Sequence, residues 1–422
     1  MNIRHNYNHT LLACYIGFIT QAIINNFTPL LFLTFQRVYR IPLEKIALLV
    51  TANFGVQLAV DLLSAFFVDR IGYRFSIMAA HIVSAVGLWG LGVFPQWFPH
   101  PYSGLLAAVI CYAIGGGLME VLISPIVEAC PTDRKSAAMS LLHSFYCWGS
   151  VFVILASTLF FFFVGIENWP TLAALWTIIP LLNALYFSQV PIARLVEKEN
   201  SLSPTQLFSL KQFWLFLFLM ICAGASEQAM SQWASAFAES GLGVAKTVGD
   251  LIGPCFFAVL MGLSRVFYAK KSEHIPLTSY MIGSGLLCLI SYALAAFSPF
   301  PLLNLIGCAL CGVAVGIFWP GTLSLAAQNC LRGGSAMFAL LALAGDVGCV
   351  AGPTLVGLVA GAVGDNLKIG LAAAMLFPFS LLSGLCLTKG RSYNKATDIN
   401  INNVIEQVND KPNKAFNKPV HL

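Results

Sequence analysis

Charged residues are scarce in this chain. Only 10% of its 422 residues are Asp, Glu, Lys or Arg, whereas 58% are hydrophobic, and a soluble domain carries about a quarter charged residues. Long polar stretches are scarce as well, and the longest one inside the apolar region covers residues 191–211. These shortages exclude a soluble globular protein and indicate one that lies in a membrane.

Recognisable catalytic motifs are absent too. The sequence contains no H-E-x-x-H, no G-x-S-x-G and no P-loop, the patterns that supply a metal site, a nucleophile or a phosphate cradle. Cys308 and Cys311 have CxxC spacing, but no second pair or nearby His accompanies them. Small residues of this kind suit packing between membrane helices. We therefore expect no enzyme activity, no catalytic residue, no metal and no cofactor.

Apolar runs, in contrast, fill the chain. A helix needs roughly 20 mostly apolar residues to cross about 30 Å of hydrocarbon. Twelve runs of about this length occur, at residues 11–35, 45–68, 75–95, 103–129, 137–163, 171–190, 212–238, 250–268, 276–297, 302–325, 336–362 and 368–388. The sequence therefore predicts an all-α membrane protein with twelve transmembrane helices, surrounded by the lipid bilayer.

Basic residues predict which side of the membrane each connecting segment occupies. With the N-terminus inside, most of the 23 Lys and Arg residues fall on the inner side. Before the C-terminal tail, that side holds Arg4, Arg70, Arg74, Arg134, Lys135, Arg194, Lys198, Lys211, Arg265, Lys270, Lys271 and Arg332. The positive-inside rule then places both termini in the cytoplasm. We expect the protein to be a multi-pass protein of the cell inner (plasma) membrane. The net charge of +5 reflects this topology and predicts no nucleic-acid partner.

The polar segment after the sixth run divides the membrane part into six plus six. The two parts are weakly similar: Ala138-Met139 and Gly149-Ser150-Val151 in the first resemble Ala336-Met337 and Gly348-Cys349-Val350 in the second, as expected of repeated halves. We predict an N-terminal six-helix bundle at 11–190, a cytoplasmic linker at 191–211 and a C-terminal six-helix bundle at 212–388. Residues 389–422, rich in Asn and Lys, should form a disordered cytoplasmic tail.

The segment between the second and third runs carries a motif. Residues 65–74 read A-F-F-V-D-R-I-G-Y-R and resemble the loop signature of the major facilitator superfamily, G-x-x-x-D-R-x-G-R-K. Asp69, Arg70, Gly72 and Arg74 match the signature, whereas its first and ninth positions differ. The resemblance implies two pseudo-symmetric six-helix bundles that work by alternating access, with the four matching residues as a gating motif.

Three further stretches resemble the branch of that family that includes fucose and other sugar–proton symporters. They are Asn25-Asn26 with Phe35-Gln36, Glu120 through Pro125, and Leu141 through Gly149. Two positions depart: Pro29 stands where the branch has an acidic residue, and Ser124 replaces an asparagine. The resemblance implies a small-molecule substrate, sugar-like, and a proton as partners. Neither the identity of the sugar nor a coupling carboxylate in the first helix carries over.

Four carboxylates lie inside the predicted helices and away from their ends: Asp61, Glu120, Glu227 and Asp346. A charge at the bilayer centre costs about 2.5–3.5 kcal/mol on insertion scales, so such residues are candidates for function. Glu120 matches the glutamate of the branch and is the first candidate for proton coupling, followed by Asp346 and Asp61. The alternatives are a permanent hydrogen bond for Glu120, a cation or Arg265 as the partner of Asp346, and a structural or gating role for Asp61.

Amide side chains accompany these carboxylates. Asn53, Gln57 and Asp61 are spaced four apart and share one helix face, and the seventh helix combines amides with a carboxylate and a tryptophan. The hydroxyl groups of a polyol need donors and acceptors, and an indole offers an apolar platform. We therefore predict substrate-binding residues at Asn25, Asn26, Gln57, Glu227, Gln228, Gln232, Trp233 and Trp319. Hydrogen bonds between helices are the alternative use of such side chains.

These features predict a secondary active transporter of a small polar, sugar-like solute that is coupled to protons and acts as a monomer. One water-accessible cavity near the midplane, walled by Trp148, Trp233 or Trp319, should collect Asn25, Asn26, Gln57, Glu120, Glu227, Gln232 and Asp346. An exporter of drugs or metabolites is the main alternative, and a sensor that kept the fold is another. Exporters usually carry G-x-x-x-G-P-x-x-G-G in the fifth helix, where this chain has only Gly149-Ser150-Val151, although Gly352-Pro353 occurs in the eleventh.

Overall fold

The computed structural model describes residues 3–131, 135–193, 202–271, 275–330 and 333–389. The predicted tail lies outside these ranges apart from its first residue, and so do residues 194–201 of the predicted linker. Where the chain is described, its secondary structure consists of helices joined by short turns.

In the described part of the chain, twelve helices are long and apolar enough to cross a membrane, which confirms the predicted fold class. We number them α1–α12 in chain order. They are α1 Tyr7–Tyr39, α2 Leu43–Ser64, α3 Tyr73–Trp97, α4 Pro101–Ala129, α5 Leu141–Val164, α6 Ile166–Gln189, α7 Lys211–Gly241, α8 Lys246–Tyr268, α9 Leu277–Phe297, α10 Pro301–Asn329, α11 Ala336–Ala362 and α12 Leu367–Cys386. Their ends differ from the predicted ones by only a few residues.

The same helix pairs pack in each half of the chain. In the first half α1 packs on α5, α2 on α4, and α3 on both α4 and α6. In the second half α7 packs on α11, α8 on α10, and α9 on both α10 and α12. Each half therefore repeats one arrangement, although the exact boundaries predicted at 190 and 212 stay predictions.

Glycines allow α7 and α11 to approach each other closely. A Cβ atom at Gly348 would meet backbone atoms of Ile221 and Ala225, and one at Gly352 would meet the backbone of Ala225. Lipid tails are as apolar as the helices, so van der Waals contact between small residues is what holds such pairs together. This contact also brings Glu227 and Asp346, which neighbour it in sequence, to the centre of the molecule.

Six of the spanning helices are irregular within their described length, and in α6 and α12 the interruption is a single residue, Thr177 and Met375. A 3₁₀ segment at Thr28–Leu31 interrupts α1, where Pro29 lacks a backbone N–H. In α7 the α-helix stops at Ser231 and the span ends in a π segment at Phe237–Gly241. A second π segment, Leu251–Cys255, lies in α8, and α10 breaks between Val315 and Phe318. The interruptions of α1 and α7 lie in the last third of each span.

Contacts between the two halves are not spread evenly across the membrane. We call the side where α1 begins the terminal side, and the other the opposite side; an even number of spans returns the end of α12 to the terminal side. Where both partners are described, the hydrogen bonds between the halves lie at mid-depth or nearer the opposite side, except that of Arg265 with Cys147, which lies nearer the terminal side. On the opposite side Gln36 Nε2 donates to Asp365 Oδ2 at 3.0 Å, and the hydroxyls of Thr51 and Thr354 are 2.5 Å apart. The opposite side is closed in this structure.

The loop motif after α2 has two clear structural roles. The helix of α2 continues beyond the span to Ile71, and Gly72 separates it from α3. Gly72 has φ +94°, a conformation that favours glycine. Arg74 donates to three backbone carbonyls at the end of α6, those of residues 187, 188 and 190, over 2.7–2.9 Å; a guanidinium suits unpaired carbonyls at a helix C-terminus. Arg70 is exposed and the side chain of Asp69 lies outside the described ones, so the gating role of the motif stays a prediction.

Replacing Gly72 with alanine should lower the thermal stability of the protein. The pair φ +94° and ψ +143° lies close to a region used almost only by glycine, and strain of this kind costs about 1–3 kcal/mol. Gly55→Ala is the matched control, because Gly55 lies within α2 and a Cβ atom there meets nothing within 4 Å. Thermal unfolding in detergent should give a lower midpoint for Gly72→Ala alone. Equal midpoints for the two variants would contradict the strain.

Candidate functional site

Three carboxylates that are far apart in sequence meet near the middle of the molecule. Asp61 of α2, Glu120 of α4 and Asp346 of α11 each place one carboxylate oxygen within 4.8 Å of those of the other two. We call these three residues the acidic cluster. Two of them belong to the first half of the chain and one to the second, so the cluster bridges the halves. The sequence marked all three as candidates but gave no sign that they touch.

The acidic cluster cannot carry three negative charges without a large electrostatic penalty. Two unit charges no more than 4.8 Å apart repel by at least about 3 kcal/mol at an effective dielectric constant of about 20. Protons or a bound cation must therefore neutralise part of the cluster. Carboxylate oxygens are also the ligands that hard cations prefer, so the cluster has suitable donors for one, and the expectation of no metal site stays a prediction.

A chain of amides extends from the acidic cluster toward the opposite side. Gln21 Nε2 is 3.4 Å from Glu120 Oε2 and donates to Gln57 Oε1 at 2.7 Å. Gln57 Nε2 in turn donates to Asn53 Oδ1 at 2.9 Å and to Asn25 Oδ1 at 3.2 Å. We call Gln21, Asn25, Asn53 and Gln57 the amide chain. Because amides both donate and accept, the chain offers a polar ligand either kind of group.

Gln21 is the member of this network that the sequence analysis missed. The sequence does indicate its place, because Gln21 lies one helical turn before Asn25 and polar residues four apart share a helix face. Gln21 lies outside the stretches that resemble the symporter branch, so the resemblance did not point to it. Its carbonyl oxygen, Oε1, is buried without a hydrogen-bond partner among the described atoms.

The amide chain continues into the second half through α7. Gln232 Nε2 donates to the backbone oxygen of Asn25 at 3.0 Å and to Gln228 Oε1 at 3.1 Å. Gln228 Nε2 then approaches Glu227 Oε1 at 3.4 Å. Gln228 and Gln232 are therefore neighbours in α7, and Gln232 contacts the first half of the chain directly.

Arg265 of α8 brings a positive charge into the same region. Its Nη1 is 3.0 Å from Cys147 Sγ of α5, and its Nε donates to the oxygen of Gly316 at 3.1 Å. The guanidinium lies 4.0 Å from Glu227 Oε2, a distance longer than a hydrogen bond. Arg265 lies three residues before the end of α8, and its predicted place on the inner side stays a prediction. Its place near the end of a run suggested a surface position, but the long side chain turns inward to reach Glu227.

Three predicted substrate residues occupy other environments. Asn26 donates to Ser150 Oγ at 3.0 Å and is not bonded to the amide chain. Trp233 is 0% exposed and donates to the oxygen of Pro353 at 2.9 Å, so it packs within the closed opposite side. The ring of Trp319 lies against Gly345, immediately before Asp346. Contact of these three residues with a substrate stays a prediction.

The polar residues pack mainly against one another in this structure. Asn25, Asn53 and Gln232 line a cavity of about 10 Å³, which is no larger than the space that one water occupies. A larger cavity of about 590 Å³ lies between α8, α9 and α10 and is lined by none of the predicted site residues. That the seven predicted residues line one solute-sized cavity stays a prediction, and six of them belong to the acidic cluster or the bonded network that adjoins it.

Comparisons with known proteins agree with this architecture. A family model, described as Major Facilitator Superfamily, matches residues 13–353, whereas no curated protein matches in sequence. Among solved structures, a D-xylose–proton symporter superposes with a TM-score of 0.72 at 14% identity, covering 92% of this chain and 100% of the other.

Two further structures superpose over a similar length. A bacterial homologue of the human lysosomal transporter Spinster, solved in an inward-facing and occupied conformation, gives a TM-score of 0.69 at 13% identity over 90% of this chain and 96% of its own. The fucose:proton symporter of E. coli gives 0.63 at 15% identity over 92% and 100%. At these identities the likeness concerns the fold alone.

Proposed function

The chain belongs to the Major Facilitator Superfamily of secondary transporters, and we propose that it carries a small, polar, sugar-like solute together with protons. It is a membrane transporter and not an enzyme. The observation that supports the proposal best is the acidic cluster, which bridges the two halves and touches the amide chain through Gln21.

Protons are the simplest occupants of the acidic cluster. A proton shared between carboxylates removes part of their mutual repulsion. Unlike a hydrated ion, it needs no cavity between them. Asp346 lies in one half, and Asp61 and Glu120 lie in the other. A change in their protonation therefore alters the electrostatic repulsion between the halves. Glu120 is the member that also touches the amide chain, which makes it the residue through which solute and proton can affect each other.

The amide chain and α7 supply the chemistry for a hydroxyl-rich solute. Neutral amides donate and accept hydrogen bonds, and Glu227 and Arg265 add one strong acceptor and one strong donor. In this structure these groups bond mainly to one another, although Gln21 Oε1 has no partner among the described atoms. A solute that enters must exchange those bonds for its own, so solutes with several hydroxyl groups are favoured over apolar ones.

The distribution of basic residues supports a cytoplasmic terminal side. The helix of α8 continues beyond the span to Lys271, and Lys270 and Lys271 are exposed there. They lie on the terminal side together with Arg70, as the positive-inside rule requires of the cytoplasmic side. With the opposite side closed, we propose an inward-facing state of a transporter in the plasma membrane. We further propose that the monomer is sufficient, since the acidic cluster and the amide chain are complete within one chain.

A screen of sugars in proteoliposomes tests the proposed function. Purified protein should accumulate one class of radiolabelled sugar or polyol when a pH gradient is imposed, and a protonophore should abolish the accumulation. Liposomes without protein are the control. Accumulation that follows a sodium gradient and ignores pH would assign the acidic cluster to a metal cation instead. Failure with every polyol, together with proton-driven efflux of apolar compounds, would replace the symporter with the exporter.

A further inference from the structure

A second buried charge pair lies away from the acidic cluster, near the opposite side. Lys246 at the start of α8 places its Nζ 3.1 Å from Oδ2 of Asp250, one helical turn further along. The side chain of Asp250 is 1% exposed and that of Lys246 is 18% exposed. An ion pair this well buried is uncommon, because removing charges from water is expensive unless further hydrogen bonds satisfy them.

Those further bonds come largely from the other half of the chain. Lys246 Nζ donates to the backbone oxygen of Leu30 in α1 at 2.6 Å and lies 5.7 Å from the centre of the Phe161 ring in α5. Thr158 of α5 lies with its Oγ1 3.5 Å from Asp250 Oδ2. Both members of the pair, although located in the second half, thus contact the first half.

The second half supports the pair without depending on these contacts. Ser235 of α7 donates to Asp250 Oδ1, and Lys246 and Asp250 share one helix. Directly after Asp250, α8 changes to the π segment Leu251–Cys255, which contains Pro254. Irregular turns of this kind are frequent at functional sites. The charges therefore stay paired if α1 and α5 move away, and only the bonds to Leu30 and Thr158 are lost.

We propose that the Lys246–Asp250 pair is the device that stabilises the closed opposite side. Its bonds to Leu30 and Thr158 exist only while the halves are in contact, so they favour the closed state. Because the two charges neutralise each other within α8, opening leaves neither of them buried alone. The proposal rests on alternating access, and not on the identity of the solute or of the coupling ion.

The exposed pair between Arg37 and Glu239 provides a natural comparison. It also joins the halves on the opposite side, with Arg37 Nη2 2.5 Å from Glu239 Oε1, but the Arg37 side chain is 69% exposed. Exposed ion pairs contribute little because water and salt screen them. Removing Arg37 should therefore change the balance of states much less than removing Lys246.

Distance measurements between the halves test the proposal in the full-length protein. Spin labels at Val38→Cys and Val363→Cys, two exposed positions on the opposite side, should give mainly short distances in nanodiscs, with Cys386→Ser in the background because Cys386 is exposed. Lys246→Gln leaves Asp250 buried without its partner, so the ratio of closed to open protein should fall at least about tenfold. For Arg37→Gln the ratio should change about twofold or less.

Thr158→Val supplies a second variant that keeps both charges and the shape of α5. It removes only the hydroxyl that contacts Asp250, so the fraction of long distances should rise, by less than in Lys246→Gln, and the fold should be retained. This variant decides the matter if Lys246→Gln does not fold. The proposal is wrong if Thr158→Val leaves the distances unchanged, or if Lys246→Gln shifts them no more than Arg37→Gln does. Neither outcome depends on finding the solute, so the result stands apart from the sugar screen.

Discussion

Glu120→Gln will abolish solute accumulation driven by a pH gradient while preserving exchange of solute across the membrane. Glutamine keeps the shape of the side chain and can still hydrogen-bond to Gln21, which lies 3.4 Å from Glu120 Oε2. It cannot bind and release a proton, so proton movement is no longer coupled to movement of the solute. The concentration ratio reached in proteoliposomes should fall to equality, whereas counterflow of labelled solute continues.

Two comparisons make this experiment decisive. Glu167→Gln changes an exposed carboxyl group at the start of α6 and should leave accumulation intact. Asp346→Asn removes a carboxylate from the other half of the acidic cluster and should resemble Glu120→Gln. If Glu120→Gln accumulates solute normally, then Glu120 is a structural residue and coupling belongs to Asp61 and Asp346. If exchange is lost as well, the residue is required for solute binding rather than for coupling alone.

Gly348→Val is expected to prevent normal folding or to destabilise the protein strongly. The new side chain would collide with the backbone oxygen of Ile221 and lie 2.8 Å from the backbone nitrogen of Ala225. Overpacking costs about 1–3 kcal/mol where side chains can adjust, but backbone atoms of a helix cannot move aside separately. The loss should therefore reach about 3 kcal/mol or more. Yield of monodisperse protein and the midpoint of thermal unfolding measure it.

Gly283→Val is the matched control for that substitution. Gly283 also lies inside a spanning helix, α9, yet a Cβ atom there meets nothing within 4 Å because it faces the cavity between α8, α9 and α10. The same change of side chain should leave yield and unfolding midpoint nearly unaltered. Similar losses at both positions would mean that the β-branched side chain, rather than the contact of α7 with α11, is responsible.

Properties that depend on a short stretch of sequence could be predicted well. Helix number and position follow from the length of apolar runs, a local quantity, and the carboxylates stood out because each is costly inside a membrane. The stripe of Asn53, Gln57 and Asp61 could be placed on one face from its spacing of four, and Gln57 does donate to Asn53.

Contacts between distant segments could not be predicted from the sequence. That Asp346 meets Asp61 depends on the rotation of α11 about its axis and on the glycines that let α7 approach it, neither of which a single sequence reveals. Asp250 was overlooked because it marked the expected boundary of α8, where a charge at the membrane surface needs no explanation. In the structure α8 begins earlier, at Lys246, and Asp250 is buried.

The interruptions in α1 and α7 determine how much of each helix can move on its own. Beyond its break, α1 continues as Phe32–Tyr39, about 12 Å of helix at 1.5 Å per residue, and α7 ends in the π segment Phe237–Gly241. Bending is easy where the regular ladder of backbone hydrogen bonds is already broken. These two tips can tilt while the rest of each half stays in place. We therefore expect an occluded intermediate, shut to both sides, in which the two tips have tilted before the halves rotate.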